Sequence, residues 1–66
     1  MSRYKLKAAM DEVGVTVKEV AELLNLSENS VYSKRRKNSF YLQEAFDIID
    51  LLNSRGGSYE VTELFK

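Results

Sequence analysis

Apolar residues recur along the chain at helical spacing, in four separate stripes. Leu6, Ala9, Met10 and Val13 sit at i, i+3, i+4 and i+7, the pattern of a helix packed on one face. Gly14 follows directly, where a left-handed residue would end that helix. Thr16 stands three residues before Glu19, the spacing of a capping box, and Val17, Val20, Ala21 and Leu24 form the next inward stripe. A helix is predicted over 16–24. Asn25 then offers a residue that tolerates positive φ, Leu26 an apolar plug for the turn, and Ser27 an N-cap. The helix predicted over 28–36 is unusually polar, with Val31 as its clear core residue. Held between amphipathic neighbours, such a helix shows most of its surface to solvent.

Asn38-Ser39 breaks the chain, and a fourth stripe follows in Leu42, Ala45, Phe46, Ile49 and Leu52, widened by Ile48 and Leu51. Beyond the Gly56-Gly57 loop, Val61, Leu64 and Phe65 predict one short helical turn packing back. Tyr4, Phe40, Tyr41, Phe46, Tyr59 and Phe65 are expected in the core and at its rim rather than as stacking platforms. Strand-like alternation is confined to Ser58–Thr62, too short and isolated to build a sheet. The expected fold class is all-α, a compact domain of four to five helices.

With 66 residues the chain has room for one domain, 1–66. It contains neither cysteine nor histidine, which removes disulfides, thiolate metal sites, the usual general base and the commonest metal ligand. No apolar run approaches membrane-spanning length, and Met1–Lys5 lacks the apolar stretch of a signal peptide. These features predict a cytoplasmic binding module: no enzyme, no cofactor, no metal, no membrane and no small-molecule substrate. A single core of this size rarely supplies more than about 3–5 kcal/mol of stability without staples.

The formal net charge is zero, yet the charge is strongly segregated. Residues 1–10 carry Arg3, Lys5 and Lys7. Residues 11–33 are acidic. Lys34-Arg35-Arg36-Lys37 is a basic tetrad, and residues 38–66 are acidic again. A phosphate backbone responds to the field within about 8–10 Å, not to the total. The tetrad is equally a solvated helix end whose cations suit the dipole.

Two short helices meeting across Asn25-Leu26-Ser27, the first capped and amphipathic, the second polar and basic at its end, have the layout of a helix-turn-helix over about 16–36. The run from Thr16 to Val31 resembles the helix-turn-helix of phage Cro and CI repressors, the lambda-repressor-like or XRE class. Lys34, Ser39-Phe40, Glu44-Ala45, Ile49, Leu52 and Leu64-Phe65 extend the likeness to a subgroup of small phage repressor-like proteins, over roughly residues 5–65. Three positions depart from the pattern. Asn25 replaces the usual turn glycine, Tyr41 stands where the family has a threonine cap before Glu44, and Arg35 stands near an often apolar position.

The resemblance implies a sequence-specific regulator of transcription that binds double-stranded DNA in a bacterial host cell, nucleoid-associated. Its recognition helix would lie in the major groove of a pseudo-palindromic operator. Ser27, Glu28, Asn29, Ser30 and Ser33 would read bases. Asn29 can pair with adenine N6 and N7, and Glu28 can accept from cytosine N4, or simply favour the helix dipole. Val17 would offer its backbone amide to a phosphate, and Lys34, Arg36 and Lys37 would meet phosphates beyond the helix end. Lys5 and Lys7 either touch the backbone or are solvated, and Tyr32 either meets a thymine methyl or covers the core. The resemblance further implies a homodimer, formed before or only upon binding DNA. Ile48, Leu51, Leu64 and Phe65 are the candidate dimer contact, unless the C-terminal turn folds over that face within one chain. The rival readings are a protein-interaction module, antirepressor or antitoxin-like, and an excisionase-like architectural factor.

Overall fold

Five helices succeed one another in the computed structural model, which describes residues 5–65: α1 (Lys5–Val13), α2 (Val17–Leu24), α3 (Glu28–Lys37), α4 (Leu42–Ser54) and α5 (Val61–Leu64). The fold class is all-α, as the periodicity predicts. The expected rim position of Tyr4 and the charges of Arg3 and Lys66 lie outside the described residues.

Local chemistry explains where each helix stops. Gly14 (φ 75°), Asn25 (φ 57°), Asn38 (φ 53°) and Gly56 (φ 101°) all adopt the left-handed region. In every case the amide of the next residue reaches back five positions: Val15 to Met10, Leu26 to Ala21, Ser39 to Lys34 and Gly57 to Leu52, at 2.9–3.1 Å. This is the Schellman arrangement, which satisfies carbonyls that the helix end would otherwise leave open. It also favours an apolar residue just past the left-handed one. Val15 and Leu26 fill that role. Val15 lies outside the four stripes yet is 4% exposed, buried in the same core as Met10.

The core joins Leu6, Ala9 and Met10 of α1, Val20 and Ala21 of α2, Val31 of α3, Ile48, Ile49 and Leu52 of α4 and Leu64 of α5. Glu19 ties two helices together. One carboxylate oxygen accepts from the Thr16 amide within the capping box, and the other is ion-paired with Arg55 past the end of α4. The Arg55 guanidinium is the main reason that the Glu19 carboxyl is held below its ordinary value of 4.5.

Helix α4 keeps most of its predicted stripe inward but is rotated so that Leu42 and Phe46 leave the core. Ala45, Ile48, Ile49 and Leu52 are buried, whereas Leu42 is 65% and Phe46 47% exposed. The reason is the path of the tail. The Asn53 side chain donates to the Tyr59 carbonyl (3.1 Å) and accepts from the Tyr59 amide (2.8 Å), folding the chain back along α4. Tyr59 then packs on the core and donates its hydroxyl to Glu12 of α1. Leu64 closes the core beside Ile48 and Leu52. The Ser58–Thr62 segment therefore enters α5 instead of forming a strand.

The same packing corrects the expected dimer face. Ile48 (0% exposed) and Leu64 (4%) are consumed inside the monomer. Leu51 and Phe65 are partly buried against the same core, and the Phe65 ring meets Phe40 edge-on at 5.6 Å. The C-terminal turn covers this face within one chain.

Candidate nucleic-acid interface

The N-terminal end of α2 is fixed by its reciprocal cap: the Thr16 hydroxyl accepts from the Glu19 amide at 3.2 Å. Val17 begins the helix with its side chain packed on the core, so only its backbone faces outward chemistry. Ala21 is buried where α2 and α3 approach, and its small side chain permits that approach.

Ser27 caps α3, accepting from the Ser30 amide at 3.2 Å, and its hydroxyl also donates to the Ser30 hydroxyl at 3.0 Å. Both serines, expected among the base readers, are thus engaged with one another at the helix start. Helix α3 reaches Lys37, one residue beyond the predicted end.

One side chain of α3, Val31, is buried, at 1% exposure. Glu28, Asn29, Tyr32, Arg36 and Lys37 are exposed, and Ser33 is half-buried. At about 100° per residue, Asn29, Tyr32, Ser33 and Arg36 fall on the side opposite Val31. The structure therefore brings Asn29 and Ser33 together on one outward face, with Glu28 at its leading edge. It adds Tyr32 to that face, and it sets Arg36 two turns along from Asn29. The i, i+3, i+4, i+7 relation of these four residues is the signal in the sequence that marks them as a set. The Arg35 guanidinium lies 5.2 Å from the centre of the Tyr32 ring, so Arg35 occupies its commonly apolar position by lying along that ring.

Lys34 does not stand with the free cations. Its ammonium is 3.2 Å from a Glu44 carboxylate oxygen and 4.3 Å from the centre of the Tyr41 ring. The same Glu44 oxygen accepts from the Tyr41 amide at 2.9 Å. Both members of the pair are largely shielded, with 21% and 17% of their side chains exposed. Lys34 is thus a brace between α3 and α4, already paired with a carboxylate of its own chain. Glu44 alone caps α4: Tyr41 contributes an amide but no hydroxyl within reach of the helix start. The cations left open at the end of α3 are Arg36 and Lys37.

The arrangement that results is a capped helix with an exposed hydrogen-bonding face and a cationic end. Asn29 supplies a paired donor and acceptor, Glu28 an acceptor, and Arg36 a forked donor. Comparison of the chain with family models, with curated proteins and with solved structures finds no match.

Proposed function

We propose that this chain is a sequence-specific, Cro-like transcriptional regulator that binds double-stranded DNA with α3 in the major groove. The observation that carries the reading is the division of α3 into one buried anchor, Val31, and an exposed polar face of Glu28, Asn29, Tyr32 and Arg36. A helix held by one residue on its inner side gains little from core burial. Its outward side chains are free to meet base edges.

In this reading Asn29 pairs with an adenine edge and Glu28 accepts from cytosine N4. Ser33 and Tyr32 contact the groove wall, and Arg36 and Lys37 neutralise phosphates beyond the base-reading turn. The Val17 amide and the start of α2 add a backbone contact. Ser27 and Ser30 hold the leading turn in shape and reach a base only if their mutual hydrogen bond opens. One recognition helix reads a few base pairs, so a pseudo-palindromic operator and two copies of the chain follow. The setting this implies is the cytoplasm of a bacterial host, on the nucleoid.

The test is selection of bound sequences from random duplex DNA, followed by affinity measurements across salt. Expected are a preferred pseudo-palindromic site and a log–log salt slope of roughly −2 per protomer from Arg36 and Lys37. Asn29→Ala should relax discrimination at one position at a cost of about 1–3 kcal/mol. Absence of an enriched site, with weak and salt-insensitive binding, favours the protein-interaction reading instead.

A further inference from the structure

We propose that the cleft between α1 and the returning tail binds an elongated zwitterion, a short free peptide or an ω-amino acid. Its ammonium end would lie at Glu12 and Glu63 and its carboxylate end at Lys5. The cleft has a volume of about 310 Å³. That is at the small end of ligand pockets, which span roughly 300–1,000 Å³. One wall is a stripe of α1 on which Lys5, Ala8 and Glu12 stand at i, i+3 and i+7. Tyr59, Glu63 and Leu64 of the tail form the other wall. Space is left because Ala8, in the middle of the stripe, ends at its Cβ. Leu64 and the Tyr59 ring, both held against the core, give the cleft an apolar side.

Charge divides the cleft along its length. Glu12 accepts a hydrogen bond from the Tyr59 hydroxyl. That bond is the main reason that the Tyr59 phenol titrates above its ordinary value of 10.0, and the nearby charge of Glu63 adds to it. Two carboxylates therefore converge on one phenol. Lys5 stands seven residues back along α1 from Glu12, a distance of about 10 Å at about 1.5 Å per residue. Neither Lys5, Glu12 nor Glu63 is ion-paired with another described residue. The cleft is thus acidic at one end, apolar in the middle and basic at the other.

This pattern selects the ligand. An ammonium between Glu12 and Glu63 and a carboxylate at Lys5 each meet opposite charge in a charge-assisted hydrogen bond. A diamine would set its second cation against Lys5, and a dicarboxylate would set its second anion against Glu12 and Glu63. A free α-amino acid holds its two charges one carbon apart, too close to meet both ends. An extended peptide covers about 3.3–3.6 Å per residue, so two or three residues match the span. Small or apolar side chains suit the stretch beside Ala8, Leu64 and the Tyr59 ring. Among the described residues, only those of α1 and the tail line the cleft, so binding there does not depend on DNA binding by α3.

The experiment is an amide NMR titration of the full chain with tri-alanine, 6-aminohexanoate, hexylamine and hexanoate. The first two probes carry both charged ends, and the last two carry one each. Expected are saturable shifts at Lys5, Ala8, Glu12, Tyr59 and Glu63 with both zwitterions, and binding of hexylamine and hexanoate weaker by at least about tenfold. Tighter binding of tri-alanine assigns the cleft to short peptides, and tighter binding of 6-aminohexanoate assigns it to ω-amino acids. Glu63→Gln should weaken the zwitterions and hexylamine but not hexanoate. Lys5→Met should weaken the zwitterions and hexanoate but not hexylamine. Ala8 is exposed, so Ala8→Leu should keep the wild-type circular dichroism while filling the cleft and abolishing binding. The two charge variants decide the case if Ala8→Leu misfolds. No saturable shifts up to high millimolar concentration, shifts on another face, or a one-ended probe binding as tightly as the zwitterions would overturn the proposal. So would wild-type affinity in Ala8→Leu or in both charge variants.

Discussion

Replacing Val31 by alanine tests how α3 is held. Val31 is the buried residue of α3 and is 1% exposed. The substitution removes two methyl groups from a closed site. At about 0.8 kcal/mol per buried carbon group, the transfer loss is about 1.6 kcal/mol. The space left behind adds up to about 1 kcal/mol where neighbours do not relax. Helices α2 and α4 are fixed by their own contacts, the first through Val20 and the Glu19–Arg55 pair, the second through Ile48 and Leu52. Relaxation is therefore limited, and a loss of about 2–2.5 kcal/mol is expected. Against a total of at most about 3–5 kcal/mol, that is about 40% of the stability or more. Thermal unfolding followed by circular dichroism should show Tm lowered by about 10–20 °C. Hydrogen exchange in α3 should rise ahead of that in α4. A fall of less than about 4 °C, with α3 exchange unchanged, would refute the view that this side chain seats the helix.

Three further outcomes are expected. Lys34→Met should leave the salt slope of DNA binding unchanged, whereas Arg36→Ala should flatten it by about one unit; equal flattening in both would return Lys34 to the phosphate contacts. The carboxyl of Glu19 is lowered first by Arg55, so its contribution to stability is present above the unfolded value of 4.5 and is lost as pH falls through the folded value. Urea midpoints of Arg55→Ala should accordingly fall less steeply with acid than those of the wild type below about pH 4.5, and parallel acid limbs would contradict the pairing. Gly57→Ala should destabilise the tail, because a Cβ there would stand 2.7 Å from the Tyr59 ring, whose backbone is held by Asn53. Proteolysis that leaves the 57–65 segment as protected as in the wild type would show that the ring can move aside.

What the sequence reveals most clearly is chemistry that acts over three or four residues. Thr16 with Glu19, Asn25 before Leu26, and Ser27 before α3 all behave as their types and spacings indicate, because each bond is local. The outward face of α3 is legible for a related reason: with Val31 as its clear apolar anchor, its orientation has little freedom. Helix α4 is the opposite case. Leu42, Phe46, Ile48, Ile49, Leu51 and Leu52 surround much of its circumference, so periodicity leaves its rotation open. The rotation is settled by the tail, which Asn53 and Tyr59 fold back over Ile48 and Leu52. Lys34 is hidden in the same way. Its pairing with Glu44 spans ten residues and depends on the left-handed turn at Asn38, which a run of like charges does not disclose.

The most direct measurement is an amide and side-chain NMR titration with the selected duplex. The outward face of α3 entering the groove predicts the largest shifts from Ser27 to Lys37, including the Asn29 carboxamide and the Arg36 guanidinium, with Val31 retaining its core contacts. Shifts concentrated on α1 and α5, with α3 unmoved, would contradict the account.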